Sequence, residues 1–539
     1  CVSAVMAATM VNWGVKSVFG MVGHSNLGLA DALRRRVLDG EMRFYGIRHE
    51  GAAAFAASAY GKLTSKPAAC LTIAGPGATN LLTGLWDAKV DRAPVLALTG
   101  QVQTQVFGPG AFQDIDLASA FDAVSRFSQT VLASSNHAEL TSLAMKSALV
   151  EQDVAHLIFP DDVQTIPSDA AAKGPEGRLG SPAIRSADDD LAKAVSMLAS
   201  AKRPMIIIGH GAKDAMPAIT AFAEAMQMPV ATTFKGKGLI ADNHPCAAGV
   251  LGRSGTPIAS WFMNECDLIL ALGTSFSNHT GIASYKPTIQ VDYDRMQLGK
   301  FHAVDLPVWS EIGQFVAAAK AAMPASRASG DQRPEIAERW RIWREEKASR
   351  AADDLGNGVN AAAIFEALTK TCPEDAIIAC DVGNNTYSFG RYFEPTGQRV
   401  LMSGYLGSIG FSLPAAMGAW AATQDFEEFR GRKVVSISGD GGFGQYAMEF
   451  TTAVKYGMDI THVLLNNSQL GKITKEQRAG DFTVWETGLH NPSFAAFAKL
   501  CGGWGQKVTR ADQLESTLAE ALAVNGPSMV EIISDPEQV

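Results

Sequence analysis

Two short stretches of the sequence carry groups suited to holding a cation and a phosphate. The first, Val434-Val-Ser-Ile-Ser-Gly439-Asp440-Gly441-Gly442, reads as a strand that ends in a carboxylate among glycines. The second, Ile460-Thr-His-Val-Leu-Leu-Asn466-Asn467, reads as a strand that ends in paired amides. A carboxylate and an amide oxygen at neighbouring strand ends suit a hard divalent cation such as Mg2+, which takes oxygen ligands and completes its octahedron with phosphate oxygens and water. A diphosphate would rest against Gly441 and Gly442 and the start of the following helix, where free N–H groups and the helix dipole favour anions. Either dipeptide alone also serves as a plain turn. The occurrence of both at strand ends points to a site.

The elements that must position these groups repeat along the chain. Short apolar runs end in glycine and are followed by amphipathic helices: Val18–Val22 before Gly23, Met205–Ile208 before Gly209, Val434–Ile437 before Gly439. This rhythm predicts an α/β fold of parallel sheets flanked by helices, with ligands at the carboxyl ends of the strands. Two Pro-, Gly- and Ser-rich separators, Ile166–Pro182 and Met323–Pro334, divide the chain into domains near 1–165, 183–323 and 355–539, with a charged helix from about Glu335 to Asp354. A helical segment is predicted from Gly442 to about Tyr456. The first and third blocks share size and rhythm, which hints at paired halves.

The chain has 539 residues, is 47% apolar and 19% charged, and carries a net charge of -9. It has material for several cores and no compositional case for disorder. The acidic balance, without a Lys/Arg-rich run, argues against nucleic acid as a partner. Seven scattered cysteines with no CxxC spacing read as reduced thiols in a cytoplasmic protein. The apolar runs are far short of the ~18–20 residues that span a bilayer. The sequence starts at Cys1 rather than Met, so its native ends are left open.

On these motifs the chain resembles the thiamine diphosphate (ThDP) enzymes of the acetolactate synthase and pyruvate oxidase superfamily, over almost its whole length. The resemblance implies three doubly wound parallel-sheet domains: pyrimidine-binding, central and diphosphate-binding. It implies that Asp440, Asn467 and the carbonyl of Gln469 ligate Mg2+, with Gly439, Gly441, Gly442, Leu470 and Gly471 beside the cofactor. Ile47-Arg48-His49-Glu50-Gly51 is similar to the family segment whose Glu bonds N1′ of the aminopyrimidine and promotes the imino tautomer that activates thiazolium C2. Burial would raise the pKa of such an acid and let it donate to a ring nitrogen. Ser403-Gly-Tyr-Leu-Gly407-Ser408-Ile409-Gly410 resembles the loop that bonds the pyrimidine and wedges the Ile409 side chain between the two rings. Asp381-Val-Gly383-Asn384-Asn385 resembles a loop over the diphosphate. Ala74-Gly75-Pro76-Gly77-Ala78-Thr79-Asn80 resembles the first domain's cofactor loop, so that Pro76 and Asn80 join the binding set. In this superfamily Glu50 and the metal motif come from different subunits, which implies a homodimer at least and a homotetramer as the usual form.

The family branches differ in what takes the two-carbon unit after a 2-oxo acid loses CO2. Phe112-Gln113 resembles the Phe-Gln-Glu of oxidases and synthases, with Asp114 in place of the Glu, and no His-His pair of the decarboxylases stands there. Ser25 in Gly23-His24-Ser25 fits the oxidase pattern near the substrate, while His24 is a departure and a proton-donor or carboxylate-anchor candidate. Lys472 and Glu476-Gln477 match the oxidase spacing, with Lys472 replacing an aromatic. In the middle domain Gly209-His-Gly211, Gly249-Val-Leu-Gly252, Leu272-Gly273 and Asp292 resemble a flavin-binding domain, although the Arg usual after the Leu-Gly-x-x-Phe segment is absent. The expectation is a pyruvate oxidase-like enzyme that decarboxylates pyruvate or a similar small 2-oxo acid and oxidises the enamine through FAD, with oxygen or quinone as electron acceptor. Glu50, Gln113, Phe112, Ser25, His24 and Glu476 form its catalytic set. The alternative is acetolactate synthase-like carboligation to a second 2-oxo acid or aldehyde. Peripheral membrane association is expected only if a C-terminal tail follows Val539.

Overall fold

The computed structural model of the protein describes residues 1–537. Three sheets follow one another along the chain, each of six strands. The first runs from strand Ser17–Gly20 to strand Val154–Pro160, the second from Pro204–Ile208 to Leu306–Trp309, the third from Ile377–Cys380 to Ser528–Ile533. All paired strands are parallel. Numbering strands within each sheet, the first and third share the order 2-1-3-4-6-5, so the similar rhythm of the two outer blocks corresponds to one topology used twice. The middle sheet has the order 6-5-4-1-2-3, the doubly wound order of dinucleotide folds. Central strands such as Pro204–Ile208 and Val95–Gln101 are buried on both faces, as helices on each side require.

The charged helix expected near Glu335–Asp354 is Arg333–Ala352. The helical run expected to continue to Tyr456 is interrupted. Helix Asp440–Gln445 ends at Tyr446, which leaves helical geometry (φ -132), and helix Glu449–Lys455 starts afresh. Tyr446 turns its ring toward the first domain, where it lies edge-on to His49 and Phe55.

The outer domains meet along two helices, Glu50–Thr64 and Ser412–Asp425, both rich in alanine and buried along most of their length. Small side chains let the backbones come close: a Cβ on Gly418 would lie 2.1 Å from the Ala56 carbonyl oxygen. On its other flank helix Glu50–Thr64 meets Gly84, where a Cβ would be 2.5 Å from that of Ala54.

A buried ionic cluster ties all three domains at the end of this contact. Lys62 Nζ lies 2.6 Å from Asp87 Oδ2 and 2.7 Å from Asp91 Oδ2, and donates to the Met402 carbonyl at 3.0 Å. Lys235 of the middle domain reaches Asp91 Oδ1 at 2.8 Å. Asp91 also accepts from the backbone N–H groups of Gly404 (2.9 Å) and Tyr405 (3.2 Å) in the third domain. Burial alone would push its carboxyl up, yet Lys235 and Lys62 hold it below the usual carboxylate range. Two lysines and two aspartates balance in formal charge. Removing one partner strands the others without water. Asp91→Ala is therefore expected to cost about 3–5 kcal/mol of stability in denaturant unfolding, far more than loss of an exposed carboxylate such as Asp31. A change under about 1 kcal/mol would contradict the cluster's role.

Candidate functional site

The carboxyl end of the third sheet gathers four loops. Strand Val434–Gly439 pairs with Ile460–Asn466 so that Gly439 stands opposite Leu465, and Asp440 begins the next helix. Asn491 Nδ2 joins the two strand ends, donating to Asp440 Oδ2 at 2.7 Å and Asn466 Oδ1 at 3.0 Å. Past Asn466 the chain turns through Ser468, which has positive φ (56°). Asn467 Oδ1 accepts from the Gln469 N–H at 3.2 Å, so Asn467 and Gln469 stand side by side. Burial raises the Asp440 carboxyl, with Asn491 and the amides of Gly441 and Ser468 drawing it back.

Glycines let these loops interlock. A Cβ on Gly471 would be 2.5 Å from Asn384 Nδ2 and 3.0 Å from Asn467 Nδ2, and one on Gly441 would be 2.9 Å from Leu470 Cδ2. Gly383 adopts φ 141 immediately before helix Asn384–Tyr392. Asn385 donates to the Asp381 carbonyl at 3.1 Å, and its Oδ1 stands 3.6 Å from where a Gly439 Cβ would be. The structure thus brings together Gly383, Asn384, Asn385, Gly439, Asp440, Gly441, Asn467, Leu470 and Gly471.

Asp381 joins the set as a positioning group whose importance only the structure reveals. Its oxygens accept from the N–H of Val382 (2.7 Å), the N–H of Gly410 (3.0 Å), and the N–H and hydroxyl of Ser412 (3.4 and 3.1 Å). A Cβ on Gly442 would lie 2.8 Å from Asp381 Oδ2. Asp381 therefore fixes the 407–410 loop against the Asp440 loop. The loop's far side is open: a Cβ on Gly407 (φ 71) would meet nothing within 4 Å. Ser408 N–H donates to Ser403 Oγ at 3.1 Å, and Ile409, a large apolar residue, stays 39% exposed.

Glu50 opens the interdomain helix, and its carboxylate is buried in the first domain. Asn80 Nδ2 donates to its Oε2 at 3.0 Å, and a Cβ on Gly77 would be 3.1 Å from its Oε1. Exposed Pro76 starts the short helix that carries Asn80. Gln113, with φ 65, lies over Gly75, where a Cβ would touch it at 2.9 Å, and its Oε1 is buried without a partner. Phe112 beside it is 81% exposed. Among the described residues, Glu50 has its side-chain hydrogen bond from Asn80 and none from the Asp440 loops.

Three further sequence candidates, Ser25, His24 and Glu476, have these surroundings. Ser25 is buried, and its hydroxyl accepts from the Ala74 N–H at 2.8 Å, fastening two strand-end loops. His24 next to it is exposed. Glu476 pairs with Lys472 at 2.8 Å on the outer side of helix Gly471–Ala479, with the Lys472 ammonium 4.8 Å from the Tyr387 ring centre. In the middle domain Gly209, Gly211 and Gly273 fill one another's space: a Cβ on Gly209 would be 2.1 Å from the Gly273 carbonyl oxygen, and one on Gly273 would be 2.6 Å from the Gly211 carbonyl carbon. A Cβ on Gly252 would be 2.2 Å from the His279 carbonyl oxygen. Asp292 ends the fifth strand of that sheet, and its carboxyl is raised by burial.

The residues at the third sheet fit a cation-held diphosphate. Asn384 Nδ2 is a buried donor without a partner, aimed among the interlocked loops. Among the described residues no three His, Cys, Asp or Glu side chains gather, so a cation there rests on one carboxylate and neutral oxygens, a set that Mg2+ accepts when phosphate supplies the rest.

Fold and site together define a ThDP-binding enzyme. Residues 1–120, 191–319 and 381–532 match family models described as the N-terminal TPP binding domain, the central domain and the C-terminal TPP binding domain of thiamine pyrophosphate enzymes. The chain belongs to the thiamine pyrophosphate enzyme family. It is 34% identical to a putative thiamine pyrophosphate-containing protein, YdaP, of Bacillus subtilis (strain 168), covering 98% of this chain and 90% of the relative. It is 30% identical to the acetolactate synthase isozyme 2 large subunit of Escherichia coli (strain K12), with 97% and 93% coverage. It is 31% identical to an acetolactate synthase of Arthrospira platensis, with 96% and 91% coverage.

Asp381 gives this site a pH dependence. Burial pushes its carboxyl up to about 6, against the donors that favour the carboxylate. Because the folded value lies above the ordinary 3.8, the folded chain takes up this proton before the unfolded chain as pH falls. Global stability is therefore not lost through this group on acidification. The change is local: a protonated carboxyl is a weaker acceptor than a carboxylate and holds the Gly410 and Ser412 donors less tightly. ThDP affinity is expected to fall as pH drops through about 6, and in Asp381→Asn to be about tenfold weaker and flat across that range. An unchanged pH profile in the Asn variant would refute the assignment.

Proposed function

We propose that the protein is a ThDP- and Mg2+-dependent carboligase that decarboxylates pyruvate or a similar small 2-oxo acid and transfers the two-carbon unit to a second 2-oxo acid or an aldehyde. The observation that carries this reading is the pair of half-sites, Glu50 with Asn80 and Asp440 with Asn467, in a chain related along nearly its full length to proteins named acetolactate synthase. A second copy of the chain completes each site, giving a homodimer as the smallest working unit and a tetramer as its natural doubling. The open Gly407–Ile409 loop tip and exposed Phe112 are apolar surfaces left for that contact.

Bound ThDP supplies a carbon nucleophile and an electron sink. The chain's own groups supply the rest. Asp440, Asn467 and the Gln469 carbonyl would hold the metal, and Gly441 and Gly442 would flank the diphosphate. Asn80 orients the buried Glu50 carboxyl, which would hold a proton toward the pyrimidine. Ile409, next to the Gly410 amide that Asp381 fixes, would offer an apolar side chain to the cofactor.

Oxidation of the two-carbon unit through FAD, with oxygen or a quinone as acceptor, is the second reading. The dinucleotide-type strand order of the middle sheet and the oxidase-like spacing of Lys472 and Glu476-Gln477 favour it. The loop packing around Gly209, Gly211, Gly252 and Gly273 leaves those glycines with a structural role, and no step is routed through a flavin. Among the described residues no helix is long and apolar enough to cross a membrane.

With pyruvate, ThDP and Mg2+ under anaerobic conditions, acetolactate is expected to accumulate while any flavin band stays oxidised. A flavin band that bleaches without acetolactate would move the assignment to the oxidase. Glu50→Gln is expected to lower turnover about 10²–10⁴-fold with the far-ultraviolet circular dichroism unchanged, and a wild-type rate would overturn the role of Glu50.

A further inference from the structure

The backbone that delivers Glu50 is gripped by a side chain from the other end of the protein. Glu449, at the start of helix Glu449–Lys455 in the third domain, is 1% exposed. Its Oε1 accepts from two consecutive backbone N–H groups, those of Arg48 (2.9 Å) and His49 (2.8 Å), while Oε2 accepts from the Thr452 hydroxyl at 2.6 Å. Both oxygens are thereby fixed. The residue after this clamp is Glu50.

The surroundings extend the grip. His49 caps helix Glu50–Thr64, its Nδ1 accepting from the Gly51 N–H at 3.0 Å. The Tyr446 ring lies edge-on to His49 with centroids 5.3 Å apart, and its hydroxyl is 2.4 Å from where a Gly51 Cβ would stand. Two residues before the clamp, Gly46 N–H donates to the Tyr456 hydroxyl at 2.7 Å. Residues 46–51 are therefore held on one side by Tyr446, Glu449 and Tyr456. Of these, Glu449 alone carries charge. An ionised carboxylate facing two amides just before a helix start makes charge-assisted hydrogen bonds and complements the helix dipole. Among the described residues Glu449 is the acceptor of both amides.

We propose that Glu449 is a positioning residue for Glu50: by fixing the Arg48 and His49 amides it sets where the Glu50 carboxyl stands relative to the pyrimidine ring. This rests on the reading of Glu50 as the activating acid. Glu449 touches neither the Asp440 loops nor the 407–410 loop through any side-chain hydrogen bond among the described residues. Its loss is therefore expected to affect proton movement at the cofactor more than cofactor binding.

The test uses the full-length protein loaded with ThDP and Mg2+, and follows exchange of the thiazolium C2 proton of bound ThDP with deuterium, by quenched-flow NMR, beside ThDP affinity and melting temperature. Glu449→Asp withdraws the carboxylate by one methylene and is expected to slow C2 exchange about tenfold or more, since displacements of about 1 Å at such a group cost up to ~10²-fold, while ThDP affinity stays within about threefold. Glu449→Gln keeps an oxygen for the two amides and is expected to exchange within about threefold of wild type. If Glu449→Asp melts earlier yet exchanges at the wild-type rate, or loses exchange only in proportion to lost ThDP, Glu449 is a plain structural contact and the proposal fails. If wild-type protein does not accelerate exchange above free ThDP, or Glu50→Gln leaves it unchanged, the assignment of Glu50 itself fails first.

Discussion

Asp91 is the point on which the arrangement of this chain turns. Its two oxygens take Lys62 from its own domain, Lys235 from the middle domain, and two backbone amides from the third. Lys62, Asp87 and Asp91 are buried, so each charge depends on the others. The cluster sits where helix Glu50–Thr64 ends, and it grips Gly404 and Tyr405, the root of the loop that presents Gly407 and Ile409. Small residues make the interdomain helix contact close, and the ionic cluster gives it one register. The cofactor elements of two separately wound sheets thereby become parts of one rigid piece.

A second consequence is that each half-site is supported from outside its own sheet. The first domain holds the root of the 403–410 loop through Asp91, and the third domain holds the start of the Glu50 helix through Glu449. Within the third domain Asp381 carries the fixation on to Gly410 and Gly442. What remains open is the apolar tip, Gly407 to Ile409, and the exposed ring of Phe112. Glu476 is exposed as well, and Lys472 is half-buried beside it.

The parts legible in the sequence are those encoded locally. The strand ends at Gly439-Asp440 and Asn466-Asn467 were legible because turn chemistry is encoded locally, and the structure brings them side by side. The apolar-run-then-glycine rhythm disclosed three parallel sheets. Long-range partners were not legible. Asp381 reads as a loop residue until Gly410 and Ser412 arrive on it from some 30 positions away. Glu449 reads as an ordinary helix-start acid until residues 48 and 49 meet it. Gly209, Gly211 and Gly273 read as a cofactor loop, and only the fold shows how closely their backbones meet one another. The helix expected through Tyr456 breaks at Tyr446 because the ring is drawn to His49 and Phe55 in another domain. Ser25 illustrates the same limit: its place at a strand end was plain, but its hydroxyl is committed to the Ala74 amide.

The central claim is that two half-sites held apart in one chain combine between two chains. It is tested most directly by complementation: Glu50→Gln chains and Asp440→Asn chains, each inactive alone, are co-expressed or refolded together and assayed for turnover. The account predicts restored activity approaching about a quarter of the wild-type level, since random pairing makes half the dimers mixed and gives each one intact site. Mixed oligomers demonstrated by native mass spectrometry but without restored activity would contradict it.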